Sequence, residues 1–320
     1  MNESKAAPRP SSREIDLMLV IYLAVIVFSI LYPTTFFSWQ NARAILNNLA
    51  ADGIVAVGMM MLMIAGVFDL SVGSVISMIG VVTGGLLMNC RWPVFPAVVA
   101  GVALAALAGW VNGMLVARAR VNALITTLGN LMMFGGVAIL IGGPSIVNLP
   151  ESFTWLGQAE DPVLGLQLPV WFLIALAGGA HYLLRNSRLF RQLYYVGSNP
   201  KAARLSGIRV EQVQILAFTL TGLLAGVAGL ASAARFSTAV STSGLGAELR
   251  VITAVILGGA SLTGGKGTIA GALVGVVFIA LIRSTLITAD VKPAWHSVVV
   301  GGILILALVL DSVQNRARES

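Results

Sequence analysis

LAADGIVAVGMMMLMIAGVFDLSVGSVIS, residues 49–77, joins an apolar run to an abrupt polar interruption. Between Leu49 and Gly66 the only ionisable side chain is Asp52, and the run approaches the ~20 residues a helix needs to cross a bilayer core. Asp69, Ser71, Gly73 and Ser74 then break the pattern, just where a second apolar run, 73–88, begins. Non-helical backbone at membrane depth survives only where protein or a water-filled cavity satisfies its N–H and C=O groups. The stretch therefore predicts a membrane helix followed by an interrupted one.

The rest of the chain extends that pattern. Of its 320 residues 57% are hydrophobic and 10% charged, with a mean hydropathy of +0.90. Soluble domains carry about 25% charged residues, so the charge here is too sparse to cover a water-exposed surface, and disorder needs low hydrophobicity. Further apolar runs lie at about 15–32, 94–117, 121–142, 168–184, 212–234, 249–261, 268–288 and 295–310. The expectation is an all-α polytopic membrane protein of about ten transmembrane helices, some interrupted. One transmembrane domain, 15–311, would sit between polar tails at 1–14 and 312–320. The 35 glycines suit membrane helices packed backbone to backbone. Cys90, the single cysteine, has no partner for a disulfide or a metal site.

Basic residues orient the bundle. With the N-terminus inside, 14 of the 20 Lys and Arg fall on the cytoplasmic side, five fall outside, and Arg283 lies within a span. The eighth run, 249–261, is the weakest; if it did not cross, the ratio would fall to 12:7. Ten crossings with both termini cytoplasmic is the expected topology. The net charge of +7 then reports orientation among membrane lipids, with no nucleic-acid partner required.

A second broken segment, LGGASLTGGKGTIAG (257–271), is similar to the first. Leu70-Ser71 matches Leu262-Thr263, and Gly73-Ser74 matches Gly267-Thr268 after a two-residue insertion, a weak internal repeat. Paired interruptions in the two halves of a transporter point to its pathway, which makes Asp69, Ser71, Thr126, Thr127, Asn130 and Thr263 candidate pathway residues. The alternative is that Gly, Ser and Thr merely allow tight helix packing and that Asp69 caps a helix. A phosphate loop is excluded: G-x-x-x-x-G-K-[ST] needs Gly at 260 and Ser or Thr at 267, where the chain has Ala260 and Gly267. No paired-carboxylate or HExxH motif of a membrane protease occurs, so no catalytic or metal-binding residue is assigned. Intramembrane acids can also relay protons, so Asp52 and Asp69 support an alternative: an ion-coupled secondary transporter of a small polar solute.

The longest cytoplasmic loop contains RNSRLFRQLYYVGSNPKAARLSGIRVEQV, residues 185–213. Asn199 is placed to cap a short helix, Pro200 suits its first turn, and Gly207 ends it. Ala202, Ala203 and Leu205 would leave a small-residue face open to a partner's groove. YYVGSNPKAARLSGI, GVFDLSVGS (66–74), ALITTLGN (123–130) and GLGAELRVITAVILGGASLTGGKGTIAGALVG (244–275) occur in that family's order and resemble permeases of the ribose, xylose and arabinose class of bacterial ATP-binding-cassette importers. The match covers roughly 15–311. It implies a pore built with a second permease copy or a paralogue in the inner membrane. A cytoplasmic ATPase, which binds the ATP and Mg, drives it, and a periplasmic sugar-binding protein feeds it; this chain itself needs no cofactor and is no enzyme. The cytoplasmic loop, 185–211, would couple to the ATPase through Gly197, Asn199, Ala202, Ala203, Leu205 and Gly207. The implied cargo is a monosaccharide or related polyol. Departures from the family pattern at Ala65–Phe68, Val121-Asn122 and Asn130 spare that loop and leave the identity of the sugar open.

Overall fold

The computed structural model describes Leu23, Val27, residues 38–161 and residues 163–319. The expected first span, 15–32, lies outside the continuously described residues. α1 (Trp39–Ile64) starts at Ser38, whose hydroxyl accepts the Asn41 amide at 3.2 Å. There follow α2 (Val72–Met88), α3 (Val94–Gly113, closed by a π-helical turn over Met114–Arg118) and α4 (Ala123–Gly142). Next come β1 (Ser145–Val147), α5 (Glu151–Gln158), α6 (Leu168–Asn186), α7 (Arg188–Ser198) and α8 (Pro200–Leu205). The chain ends with α9 (Val210–Phe236), β2 (Thr238–Val240), α10 (Ala247–Leu257), α11 (Ile269–Thr288) and α12 (Pro293–Glu319). β1 and β2 form an antiparallel ribbon pairing Ser145 with Val240, Ile146 with Ala239 and Val147 with Thr238. That ribbon marks one end of the bundle, here the ribbon face; α7 and α8 mark the opposite, elbow face.

Lipid tails are as apolar as leucine, so burial of apolar surface does not drive membrane helices together; close van der Waals contact does. Along α3, Gly101, Ala105, Gly109 and Gly113 recur every fourth residue and present one smooth stripe to α9. α9 answers with Gly222 and Gly226. A methyl group on Gly222 would come within 2.7 Å of the Ala105 carbonyl oxygen, and one on Gly113 within 2.8 Å of the Ile215 Cα. The two backbones therefore touch with no side chain between them. α2 is buried along nearly its whole length by α3, α4 and α9, and the stretch Ile54–Ile64 of α1 is buried throughout. These two helices form the core.

Helix lengths bear on the expected count. Among the described residues six helices are long and apolar enough to cross a membrane: α1, α3 with its π turn, α4, α6, α9 and α11. Val72–Met88 and the apolar part of α12, Pro293–Val309, are shorter. The expected eighth span, 249–261, is helical only over Ala247–Leu257, 11 residues. At 1.5 Å per residue that is about 16 Å, half of a ~30 Å hydrocarbon core. The hydropathy of the segment continues to Ala260, but Gly258 packs against the Gly271 backbone and Gly259 takes φ +93°, which ends the helix. Ahead of it, residues 241–246 run down α2 without helical structure, held by the Gly244 amide donating to Ser77 Oγ at 2.9 Å. This connection thus passes from ribbon face to elbow face as a half-helix joined to irregular chain.

Placing valine at Gly109 should force the α3–α9 backbones apart, because the Phe218 carbonyl occupies the space its Cβ would need. The expected loss is about 1–3 kcal/mol, measured as thermal unfolding of the purified protein in detergent; an unchanged transition would show that this contact does not hold the bundle.

Candidate functional site

A cavity of about 340 Å³ opens among α1, α9, α10 and α11. Its charged lining consists of Asp52 on α1, Arg235 at the end of α9, Arg250 on α10 and Arg283 on α11. α1 presents Asn41, Asn48 and Asp52 on one stripe at helical spacing, and the half-helix α10 brings Arg250 opposite them. Arg250 grips Asp52 with two donors, Nε to Oδ2 and Nη2 to Oδ1, each 3.2 Å. Arg283 Nη1 stands 3.8 Å from the same carboxylate. Arg235 instead donates to the Asn47 carbonyl at 2.6 Å, its guanidinium 5.3 Å from the centre of the Phe236 ring. Asp52 stands out in the sequence, but its partner Arg250 lies 198 residues away, beyond any local pattern.

The candidate pathway residues gather elsewhere. Asp69 Oδ1 accepts both the backbone amide and the hydroxyl of Ser71, each at 2.7 Å. Asn112 of α3 donates to Asp69 Oδ2 at 2.9 Å and to Ser71 Oγ at 2.8 Å, and its own carbonyl oxygen accepts from Asn130 Nδ2 of α4. All four side chains are buried, so the knot ties the start of α2 to α3 and α4. Asp69 thus holds Ser71, the residue just before α2, and bonds no amide of the helix itself. Thr126 and Thr127 lie one turn before Asn130, with Thr127 donating to the Ala123 carbonyl at 2.9 Å. Thr263 pairs with Ser261, oxygen to oxygen 2.8 Å, in the loop before α11. None of the six borders the cavity. Asn112, which completes the knot, was missed; its only sequence signal is an amide inside the apolar run 94–117.

At the elbow face the expected cap is present. Asn199 Oδ1 accepts the Ala202 amide at 3.0 Å, Pro200 opens α8, and Gly207 takes φ +80° just beyond its end. Leu205 is 91% exposed, whereas Ala203 is buried against the protein's own core, so the open face of α8 is formed by Ala202 and Leu205. Arg204 pairs with Glu211 at 2.7 Å and braces α8 on α9. α7 was read as loop, although its alternation of arginines with Leu189, Phe190, Leu193 and Val196 follows an amphipathic helical period. Its last turn enters a junction of glycines. Gly197 lies against the Ile64 carbonyl and the Gly265 amide, which are themselves hydrogen bonded at 2.9 Å, and Gly66 and Gly264 pack beside it with φ +82° and +86°. Tyr194 adds a bond from its hydroxyl to the Gly267 carbonyl at 2.9 Å, and burial pushes that phenol above its ordinary pKa. Elbow, α1 and the α10–α11 loop are thereby joined at one point.

Among the described residues no three His, Cys, Asp or Glu side chains converge as metal ligands would. The arrangement offers instead a polar cavity on the ribbon side, a sealed hydrogen-bond knot, and a rigid surface elbow. Residues 41–308 match the family model described as branched-chain amino acid transport system / permease component. The chain is 35% identical over 300 residues to the ribose import permease protein RbsC of Escherichia coli (strain K12), covering 92% of each chain. It is 33% identical over 304 residues to the L-arabinose transport system permease protein AraH of the same strain, covering 95% of this chain and 92% of that one. The autoinducer 2 import system permease protein LsrC of Salmonella paratyphi B (strain ATCC BAA-1250 / SPB7) is 33% identical over 303 residues, 94% of this chain and 86% of its own. No solved structure matches.

Replacing Asp52 with Asn leaves Arg250 without its two-point acceptor at a site that is largely buried on the protein side and open only to the cavity. The expected cost is about 3 kcal/mol, the low end for breaking a buried pair, because this pair borders an open cavity. Thermal unfolding should show the loss, and the double variant Asp52→Asn/Arg250→Gln should recover part of it; additive losses would deny the coupling.

Proposed function

The chain belongs to the family of permease components of branched-chain amino acid transport systems, a multi-pass inner-membrane transport family, and from that premise we propose that it is the pore-forming subunit of an ATP-driven importer for a monosaccharide or related small solute. The observation that carries this reading is the elbow. A helix of six residues, capped at one end and closed by a positive-φ glycine at the other, holds Leu205 almost fully out of the protein. An isolated leucine displayed on a short rigid element suits insertion into a groove of another protein, here a cytoplasmic ATPase subunit. The basic residues Arg185, Arg188, Arg191, Lys201, Arg204 and Arg209 around it agree with a cytoplasmic elbow face.

Force applied at Leu205 has a short route inward. α7 ends in the glycine junction, which contacts the C-terminal end of α1 and the loop between α10 and α11. Those same three helices carry Asp52, Arg250 and Arg283. Closure of two ATPases would then be felt at the cavity, while a periplasmic binding protein delivers solute to the ribbon face. Each partner shifts the balance of inward and outward states only by its difference in affinity for them. Relatives named as ribose and arabinose permeases support a sugar-like cargo. The ion-coupled alternative finds less support: Asp52 faces two guanidinium groups and Asp69 is held by Ser71 and Asn112, fixed partners rather than a relay. The cavity, bordered by none of the interruption residues, is the better candidate for the entrance of the pathway.

Leu205→Asp should abolish ATP-driven uptake, lowering it at least ~10-fold, while the protein still inserts at normal levels, since the altered side chain touches little of its own fold. Transport is measured with labelled solute in cells expressing the permease, its ATPase and its binding protein, and insertion by quantifying the protein in isolated membranes. Normal uptake in that variant would refute the coupling role.

A further inference from the structure

The charge in the cavity is out of balance for a site that passes neutral sugars. Its lining holds three guanidinium groups and one carboxylate, and Glu248, outside the lining, acts electrostatically on Arg250. Ionisable groups at membrane depth are costly and face a cavity or a partner when they persist. Each of the three arginines can be followed to its partners. Arg235 is spent on the Asn47 carbonyl and the Phe236 ring. Arg250 is spent on both oxygens of Asp52. Among the described residues Arg283 has only the far side of an already gripped carboxylate, 3.8 Å away, and its side chain remains 41% exposed.

A structural clamp alone would not need this third cation. Arg250 already neutralises Asp52 in a two-point bond, and a guanidinium 3.8 Å further on adds a second positive charge to the same acid. Arg283 is adjacent in sequence to Ser284, whose hydroxyl donates to Asn41 Oδ1 at 3.2 Å, and Thr288, which donates to the Ser284 carbonyl at 2.9 Å, lies one turn beyond; Ser284, Asn41 and Thr288 all line the cavity, as does Asn48. Hydroxyls and amides around one planar cation make a site for an anion carried on a hydroxylated body, and guanidinium matches the paired oxygens of a carboxylate or phosphate.

We infer that this cavity is a solute-binding station and that Arg283 selects a polyhydroxylated solute bearing one carboxylate or phosphate group. The inference rests on the permease reading above and narrows its cargo from a neutral monosaccharide to a sugar acid or a sugar phosphate. The anion takes the open side of the Arg283 guanidinium, and its hydroxyls meet the amides of α1 and the hydroxyls of α11. Asp52, held by Arg250, repels a second negative charge.

The test is uptake by cells expressing the permease with its ATPase and binding protein. Labelled ribose and glucose are each compared with the corresponding aldonate and phosphate ester. An anion should enter at least ~10-fold faster than its neutral parent, the scale of one charge-assisted hydrogen bond, and the two anion arms tell carboxylate from phosphate. Arg283→Gln should bring that preference close to parity, while Arg283→Lys, which keeps the charge, retains most of it. Uptake of neutral sugar alone, sensitive to Leu205→Asp but equal in Arg283→Gln, would overturn the anion site and leave the permease reading standing. Anion uptake that survives Leu205→Asp would overturn the permease reading instead.

Discussion

At Gly197 three chain segments meet with no room for a methyl group. The end of α7, the last carbonyl of α1 and the loop before α11 touch backbone to backbone. The rest of the molecule depends on that contact, because a lipid environment supplies no hydrophobic force to hold helices in register. Rigid transmission needs short distances, and glycine gives the shortest. Gly66 and Gly264 add positive φ values that turn each chain away immediately after the contact. The junction therefore makes a mechanical connection between the exposed elbow and the helices that line the cavity, without a long side chain that could flex.

The electrostatic design is equally economical. Asp52 and Arg250 stabilise one another across two helices that the glycine junction already fixes, so their pairing needs little further ordering. Asp69 is handled differently: neutral donors from Ser71 and Asn112 close around it, and Asn130 closes around Asn112. One acid faces an accessible space and the other is sealed into the core. Their sequence contexts, both acids in glycine-containing apolar stretches, did not separate these fates.

What was legible was local. Apolar runs located most helices because lipid imposes its composition on every exposed turn, and the Asn199-Pro200 cap with Gly207 could be read because all its determinants lie within nine residues. The half-helix Ala247–Leu257 is shorter than the expected run because hydropathy does not distinguish a segment buried in lipid from one buried in protein; Gly258 and Gly259 mark its end only once the Gly271 backbone is seen beside them. Asp52 with Arg250, and Asp69 with Asn112, join residues 198 and 43 positions apart. No periodicity reports such pairs. They follow from which helices the small-residue stripes, such as Gly101 to Gly113, bring together.

The ribbon of β1 and β2 has a mechanical consequence of its own. β1 follows α4 after a short turn, and β2 follows α9 directly, so their ladder staples the ends of these two helices. At the other end the Asn112–Asn130 bond holds α3 to α4, while the glycine stripe seats α3 on α9. α2, α3, α4 and α9 are thus cross-linked at top, middle and bottom and behave as a stator. α10 and α11 have no strand ladder of this kind among the described residues; they are joined to α1 by the Asp52 ion-pair cluster and the Ser284–Asn41 bond, and to the elbow by the glycine loop. On the coupling proposed above, a stroke delivered at the elbow would be steered by this asymmetry into the wall of the cavity and away from the bundle as a whole.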